Sequence, residues 1–292
     1  MAKSTNRVEA KLIAQIDRGG RGQRLSAPIS PYGARVGNPD SAREQSANSD
    51  GGALQIGLHP LFVRWLEPTL AAAEGGRAGR AVALDNGASG LSIGRLQMDL
   101  SQQAELRARL AAFARARLLD LDMPRPHAPA VRVDLAHLFA KPTARMGKAE
   151  RAQAERIGMR LLAWPGAAAI LARFERLKLV HIGLAVRRLV AAASPGTAMF
   201  ARSLRGQIEL GCHLHQFGVG STERLEAFLA GRTVAFEGAD GKTRSVAPAD
   251  PLDIERFRDF RRATRWGAAN PRANESRHQR IDLALKGVPG DA

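Results

Sequence analysis

The chain has 292 residues, a formal net charge of +16 and a single cysteine, Cys212. One cysteine excludes an intrachain disulfide, and so basic a chain is attracted to polyanions such as nucleic acid, anionic membrane or anionic cell wall. The N-terminus lacks the apolar segment of a secretory signal peptide, which predicts synthesis in the cytoplasm without export by that route.

Two regions are predicted from composition. Residues 2–16 carry a short amphipathic pattern, and residues 17–52 are rich in Gly, Ser, Pro, Asn and Arg. Such a segment buries too little apolar surface to offset its ordering entropy. We therefore expect a flexible, disordered N-terminal tail over residues 1–53, acting as a tether or as a loading or export signal, and a folded domain over residues 54–292.

The folded domain begins with a helix and a small β-ribbon. Apolar residues recur at helical spacing over residues 59–73, and Gly75 and Gly76 then end the helix, which places Glu74 at its C-terminal end. The next residues are rich in glycine and short apolar runs, which predicts a β-hairpin. Asp85 opens its turn and Ser92 lies on the returning strand.

The remainder predicts a mainly α (α+β) fold. Residues 161–193 form the most apolar region, but six charged side chains make it a protein core rather than a membrane span. We expect residues 167–193 to form the central buried helix, with a break near Gly183, and the last residues to be frayed. Helices are predicted over residues 101–119, 133–139, 148–164, 167–193, 199–215, 221–229 and 253–266, and a β-hairpin over residues 233–246.

The helix end and the ribbon suggest a chemistry. A carboxyl group fixed on a helix, facing a second carboxylate and a hydroxyl on a hairpin, is suited to acid/base cleavage of a glycosidic bond. Glu74 is then the general acid, and burial against Leu91 or Ile93 is expected to raise its pKa. Asp85 stabilises developing positive charge or orients water, and Ser92 holds the attacking water.

These residues resemble a known family. Phage-type lysozymes and related peptidoglycan muramidases have a helix ending in Glu-Gly, then a hairpin with an Asp, then a Thr before Ile-Gly. This chain has Glu74-Gly-Gly, then Asp85, then Ser92-Ile-Gly. It departs from the pattern in having Ser in place of Thr and a slightly longer interval between the two acids. The segment that ends in Gln97 is also similar to the Gly-x-x-Gln segment of lytic transglycosylases.

The resemblance implies a lysozyme-like domain with a C-terminal helical extension. The implied activity is hydrolysis of the β-1,4 bond between N-acetylmuramic acid and N-acetylglucosamine, with Glu74, Asp85 and Ser92 as catalytic residues. It favours the inverting two-carboxylate route and needs no metal or organic cofactor. Gln97 is expected to contact the substrate, and Gln216 to lie on the far wall of the sugar groove.

Rival interpretations exist for several residues. Asp99 is an alternative second carboxylate, or else a charge before the helix that follows Ser101. Cys212, His213 and His215 suggest a metal site, but without a second cluster packing is the better interpretation. Residues 101–190 carry 17 Lys/Arg against 7 Asp/Glu. This excess predicts solvated helix faces, or a surface attracted to anionic wall polymer or membrane. Specific nucleic-acid binding is not expected, because no motif for it is present.

Two alternatives to the hydrolase remain open. One is a lytic transglycosylase, in which one Glu makes both proton transfers. The other is a non-enzymatic basic binding or structural protein of a phage or secretion apparatus. As a bacteriolytic enzyme, whether endolysin or secreted antibacterial effector, the protein would act on peptidoglycan strands in the periplasm after release or injection. A holin or secretion system would then deliver it.

Overall fold

The computed structural model describes residues 58–74, 82–84, 89–118, 135–219, 222–238 and 240–286. All of them belong to one compact unit, Gly57–Ala292. This unit is mainly helical with two small antiparallel sheets, so the predicted mainly-α class is confirmed. The tail predicted over residues 1–53 lies outside the described residues.

Helix α1 spans Phe62–Ala73 and packs with Phe62, Leu66, Leu70 and Ala73, which recur every three or four residues along one face. It ends at Glu74, as predicted, and the Glu74 backbone N–H donates to Leu70. The glycines expected to end the helix are outside the described residues.

The predicted ribbon is a three-stranded antiparallel sheet in the order β1-β2-β3. Its strands are β1 (Val82–Leu84), β2 (Leu91–Ile93) and β3 (Met98–Asp99). Val82 pairs with Ile93, and Ile93 with Met98. These three side chains are buried, so they hold one face of the sheet against the core. Side chains alternate between faces along a strand, which leaves Ser92 and Asp99 on the opposite face.

Ten α-helices, one short 3₁₀ helix (Thr143–Arg145) and five strands have defined bounds among the described residues. The second sheet pairs β4 (Val234–Glu237) with β5 (Thr243–Val246) and confirms the predicted hairpin. The remaining elements are α2 (Ala104–Leu118), α3 (Lys148–Leu162), α4 (Pro165–Ala192), α5 (Pro195–Arg202), α6 (Leu204–Phe217), α7 (Glu223–Leu229), α8 (Ile254–Ala263), α9 (Arg265–Ala269) and α10 (Pro271–Ala284).

Several details differ from the sequence-based expectations. Helix α4 runs through Gly183 without a break. Helix α2 begins at Ala104, three residues after Ser101, so Ser101 does not cap it directly. The Ser101 hydroxyl instead donates a hydrogen bond to Asp99. The region expected to be frayed contains α10, which starts with Pro271 in its first turn, where the missing N–H costs nothing.

The central helix of the domain is α6 rather than α4. Helix α4 buries one face only, since Arg173, Arg176 and Arg188 are exposed. Helix α6 is buried almost throughout and packs against α1, α4 and α5. A Cβ atom at Gly211 would lie 2.5 Å from the Leu66 side chain, so a glycine is needed for α6 to approach α1 this closely.

Buried charges join α6 to α8 and α10. Glu209 on α6 has no exposed surface, and its two carboxylate oxygens accept hydrogen bonds from Arg258 at 3.0 Å and Arg261 at 3.1 Å. Arg258 also donates to Asp282 on α10 at 2.7 Å. The two arginines offset the cost of burying Glu209, and together these bonds fix α10 in place.

Within the described part of the chain, no single helix is long and apolar enough to cross a membrane. Helices α3 and α4 pass that test only as a pair, bent by 94° at the break between them.

Candidate functional site

Glu74 is the centre of a buried polar cluster. Its side chain is 17% exposed, and its Oε1 accepts a hydrogen bond of 2.9 Å from Arg277 on α10. Nε2 of His215 on α6 lies 3.0 Å from the same oxygen. Helices α6 and α10 both pack against α1, so the packing of these three helices brings both partners to the end of α1.

The surroundings of Glu74 keep it ionised. Burial alone raises the pKa of this carboxyl, but the His215 hydrogen bond and the charge of Arg277 outweigh burial, and the pKa falls to about 2. The expectation that burial would raise the pKa of Glu74 is therefore wrong for this arrangement. Burial lowers the pKa of His215 despite its bond to Glu74. A neutral His215 that carries its proton on Nε2 donates to the carboxylate.

Two charged residues of α4 belong to the same cluster, although they were not predicted from the sequence as site residues. Burial lowers the pKa of Lys178, while the charges of Glu74, Glu175 and Asp99 oppose that change. Glu175, one turn earlier, has its pKa raised by burial. Their spacing in the sequence could have identified them. Glu175 is four residues after Leu171 and Lys178 is three residues further, so both charged side chains lie on the helix face that contains buried Leu171.

The polar face of the first sheet carries the candidate hydroxyl and a carboxylate. Ser92 and Asp99 are directly opposite each other across β2 and β3. Oδ1 of Asp99 accepts from the Gly90 and Ser101 backbone N–H groups at 3.0 Å and 2.9 Å, and from the Ser101 hydroxyl at 2.8 Å. Asp99 is thus held in a fixed orientation beside Ser92, and its charge acts on Lys178.

The turn from β2 to β3 is bound to α4. Gly94 has a φ of 85°, and Gln97 has a φ of 46°. Oε1 of Glu175 accepts the Leu96 backbone N–H at 3.0 Å. The Gln97 amide nitrogen donates to the Gly94 carbonyl at 2.8 Å, so this side chain helps to hold its own turn. A contact between Gln97 and substrate stays a prediction.

The two other predicted site residues, Gln216 and Asp85, are not among the described contacts of Glu74. Oε1 of Gln216 accepts from Arg261 at 3.1 Å, which joins it to the buried charges around Glu209. Its role in a sugar groove stays a prediction. Asp85 lies outside the described residues. Among the described residues, Glu74 therefore interacts with Arg277, His215 and Lys178. Ser92 and Asp99 lie on the first sheet, and the charge of Asp99 also acts on Lys178.

Among the described residues, no group of three or more His, Cys, Asp or Glu side chains could hold a metal ion. Burial raises the pKa of the Cys212 thiol to about 12, which makes it a poor nucleophile. Searches against protein-family models, curated proteins and solved structures find no match to this chain.

Proposed function

We propose that this protein cleaves the β-1,4 glycosidic bond between N-acetylmuramic acid and N-acetylglucosamine in peptidoglycan, with Glu74 as the essential carboxyl. One observation carries the proposal: the Glu74 carboxylate, at a helix end, is largely buried and held by Arg277 and His215. Lys178 interacts electrostatically with both Glu74 and Asp99, and Asp99 lies on the sheet face that bears Ser92. A buried carboxyl with a strongly perturbed pKa in such a cluster is a functional candidate.

The same contacts suggest how Glu74 acquires a proton. Burial is the largest influence on its pKa and raises it, whereas Arg277 and His215 lower it. A sugar that displaces Arg277 from the carboxylate removes one of these opposing influences. The pKa of Glu74 then rises, and the protonated carboxyl can donate to the glycosidic oxygen. In this scheme Arg277 keeps the acid ionised until substrate is bound.

The roles of the other residues follow from the resemblance to muramidases. Asp85 stabilises positive charge at the anomeric carbon or orients water, and Ser92 holds that water. The fixed carboxylate of Asp99, opposite Ser92, is a second candidate for that role. The excess of positive charge attracts the protein to anionic wall polymer, and action on the wall requires a delivery partner such as a holin or a secretion system.

The decisive experiment compares two glutamates of one helix. Glu74→Gln keeps the shape of the side chain but cannot transfer a proton, so we expect release of reducing ends from purified peptidoglycan to fall at least a hundredfold. Glu67→Gln is the matched control, because Glu67 forms a surface ion pair with Arg95 at 2.8 Å. It should stay within about twofold of the parent. If Glu74→Gln digests peptidoglycan as fast as the parent, the proposal is wrong.

A lytic transglycosylase is a second candidate. It is favoured by the engagement of Asp99 Oδ1 with three donors, which ties up this second carboxylate and leaves Glu74 as the one carboxyl proposed to transfer protons. One acid then makes both proton transfers and the product is a 1,6-anhydro sugar. Mass spectrometry of the released muropeptides separates the two candidates, because the anhydro product is lighter by one water.

A non-enzymatic role is the third candidate, and the ion pair of Glu74 with Arg277 favours it, since such a pair also serves simply to satisfy a buried charge. A protein of this kind binds peptidoglycan, is released by high salt, and liberates no reducing ends at any protein concentration.

A further inference from the structure

A cavity lies on a different side of α6 from Glu74. It has a volume of about 670 Å³, within the range of small-molecule pockets, and it is formed by α6, α7, α8, α9 and β4. Its residues on α6 are His213 and Phe217. His215, the partner of Glu74, is two positions from His213, and such positions on a helix point to different sides. The cavity is therefore separate from the proposed glycan site.

Aromatic side chains form most of this cavity. Phe217 and Trp266 meet edge to face with their centroids 6.3 Å apart, and both rings are partly exposed. Phe236 and Phe260 meet edge to face at 5.2 Å and are buried. All four line the cavity. Partly exposed ring faces above a buried aromatic floor suit a flat apolar group, which gains from burial and from ring–ring contacts.

The wall of the cavity contains an unpartnered polar atom. His213 is 3% exposed, and its Nδ1 has no hydrogen-bond partner within the described part of the chain. Burial, followed by the charge of Arg261, lowers the pKa of His213 to about 3, so the imidazole is neutral. A buried polar atom left without a partner is unfavourable, and this one belongs to a residue that lines the cavity.

The mouth of the cavity is positive. Three exposed charged residues line it, namely the cations Arg224 and Arg265 and the anion Glu223. The Arg224 guanidinium lies over the Phe236 ring, 5.2 Å from its centroid, so this cation covers part of the aromatic surface. Two guanidinium groups against one carboxylate favour an anionic group at the opening, and Arg265 is placed to pair with it.

We propose that this cavity binds an aromatic acid: a molecule whose ring packs against Phe217 and Trp266 inside the cavity and whose carboxylate or sulfonate pairs with Arg265 at the mouth. The proposal is independent of the proposed glycan cleavage, because it uses none of the residues around Glu74.

The test uses the full chain and the fluorescent aryl sulfonate 8-anilinonaphthalene-1-sulfonate as probe. We expect a saturable fluorescence increase with one site per chain. Ala269→Trp should fill the cavity and Arg265→Glu should reverse the charge at its mouth, and each should raise the Kd at least tenfold. The matched controls are Ala235→Trp, on the exposed side of β4, and Arg232→Glu, an exposed arginine outside the cavity. Both should stay within twofold of the parent.

Near-UV circular dichroism must show that each variant is folded, since the probe also binds partly unfolded chains. Displacement then tests the ligand class: 2-naphthoate should release the probe at a concentration at least tenfold lower than the neutral 2-naphthylmethanol. The proposal is overturned if the fluorescence does not saturate, if folded Ala269→Trp and Arg265→Glu bind the probe as the parent does, or if the neutral alcohol competes as well as the acid.

Discussion

Arg277 donates a hydrogen bond of 2.9 Å to the carboxylate of Glu74, and this contact connects the last described helix to the first. Both side chains are largely buried, at 12% and 17% exposure. The pair therefore has two consequences, one for the stability of the fold and one for the proton affinity of Glu74.

Removing the cation should destabilise the protein. Arg277→Gln removes the cation bound to the buried Glu74 carboxylate, which keeps its hydrogen bond with His215, so the free energy of unfolding should fall by about 3 kcal/mol. Urea denaturation at pH 7 measures this change. Arg272→Gln, on the same helix but exposed, is the control and should change the value by less than about 0.5 kcal/mol. Equal losses in the two variants would contradict a buried pair.

The pH dependence of stability should follow Glu74. Its pKa is 4.5 ordinarily and about 2 in the folded protein, a difference that corresponds to about 3 kcal/mol. Because the folded pKa is the lower one, this stabilisation is present above pH 4.5 and is lost as the pH falls toward 2. The stability difference between parent and Glu74→Gln should therefore shrink by about 2 kcal/mol between pH 7 and pH 3. Urea midpoints at both pH values test this, and a constant difference would refute it.

The turn that connects β2 to β3 requires glycine for two reasons. Gly94 has a φ of 85°, and a Cβ atom there would lie 2.5 Å from both Glu175 Oε1 and the Leu171 side chain. Gly94→Ala should therefore cost about 3 kcal/mol. Gly241→Ala is a matched control: its φ is 71°, but no atom of the described residues lies within 4 Å of the added Cβ. It should cost only about 1 kcal/mol of backbone strain. Thermal unfolding of both variants gives the difference, and similar costs would show that the contact with α4 is unimportant.

The buried ion pairs of Glu209 should be intolerant of change. Glu209→Gln leaves Arg261, which has no exposed surface, without its carboxylate, and should cost about 3–5 kcal/mol. Glu105→Gln breaks the exposed Arg109–Glu105 pair on α2 and should cost less than about 0.5 kcal/mol. Chemical denaturation of the two variants compares a buried ion pair with a surface pair in one protein. A small loss for Glu209→Gln would mean that water or another group satisfies Arg261.

Local features of the fold were predictable. The helix before Glu74, the short ribbon after it and the hairpin over residues 233–246 depend on apolar spacing and turn residues that are close in sequence. Helix α10 was not predicted, because the face it buries includes Asn274 and His278, which are polar. A search for apolar periodicity finds no signal in such a helix.

The candidate site was predictable only in part, for the same reason. Glu74 and Ser92 could be chosen from local motifs, whereas Arg277 and His215 reach Glu74 only through the packing of α6 and α10 on α1. This explains why the pKa of Glu74 was wrongly expected to be raised. Burial by neighbouring apolar residues could be foreseen from the sequence, but the two partners that reverse its effect could not.

During translation, Glu74 is synthesised well before Arg277. The two residues are 203 positions apart, so at 5–20 residues per second the ribosome adds the arginine roughly 10–40 seconds after the glutamate. During that interval a growing chain holds an acidic group with no counter-charge from α10. The finished cluster thus marks a chain whose translation has passed α10, and a nascent or prematurely terminated product lacks it.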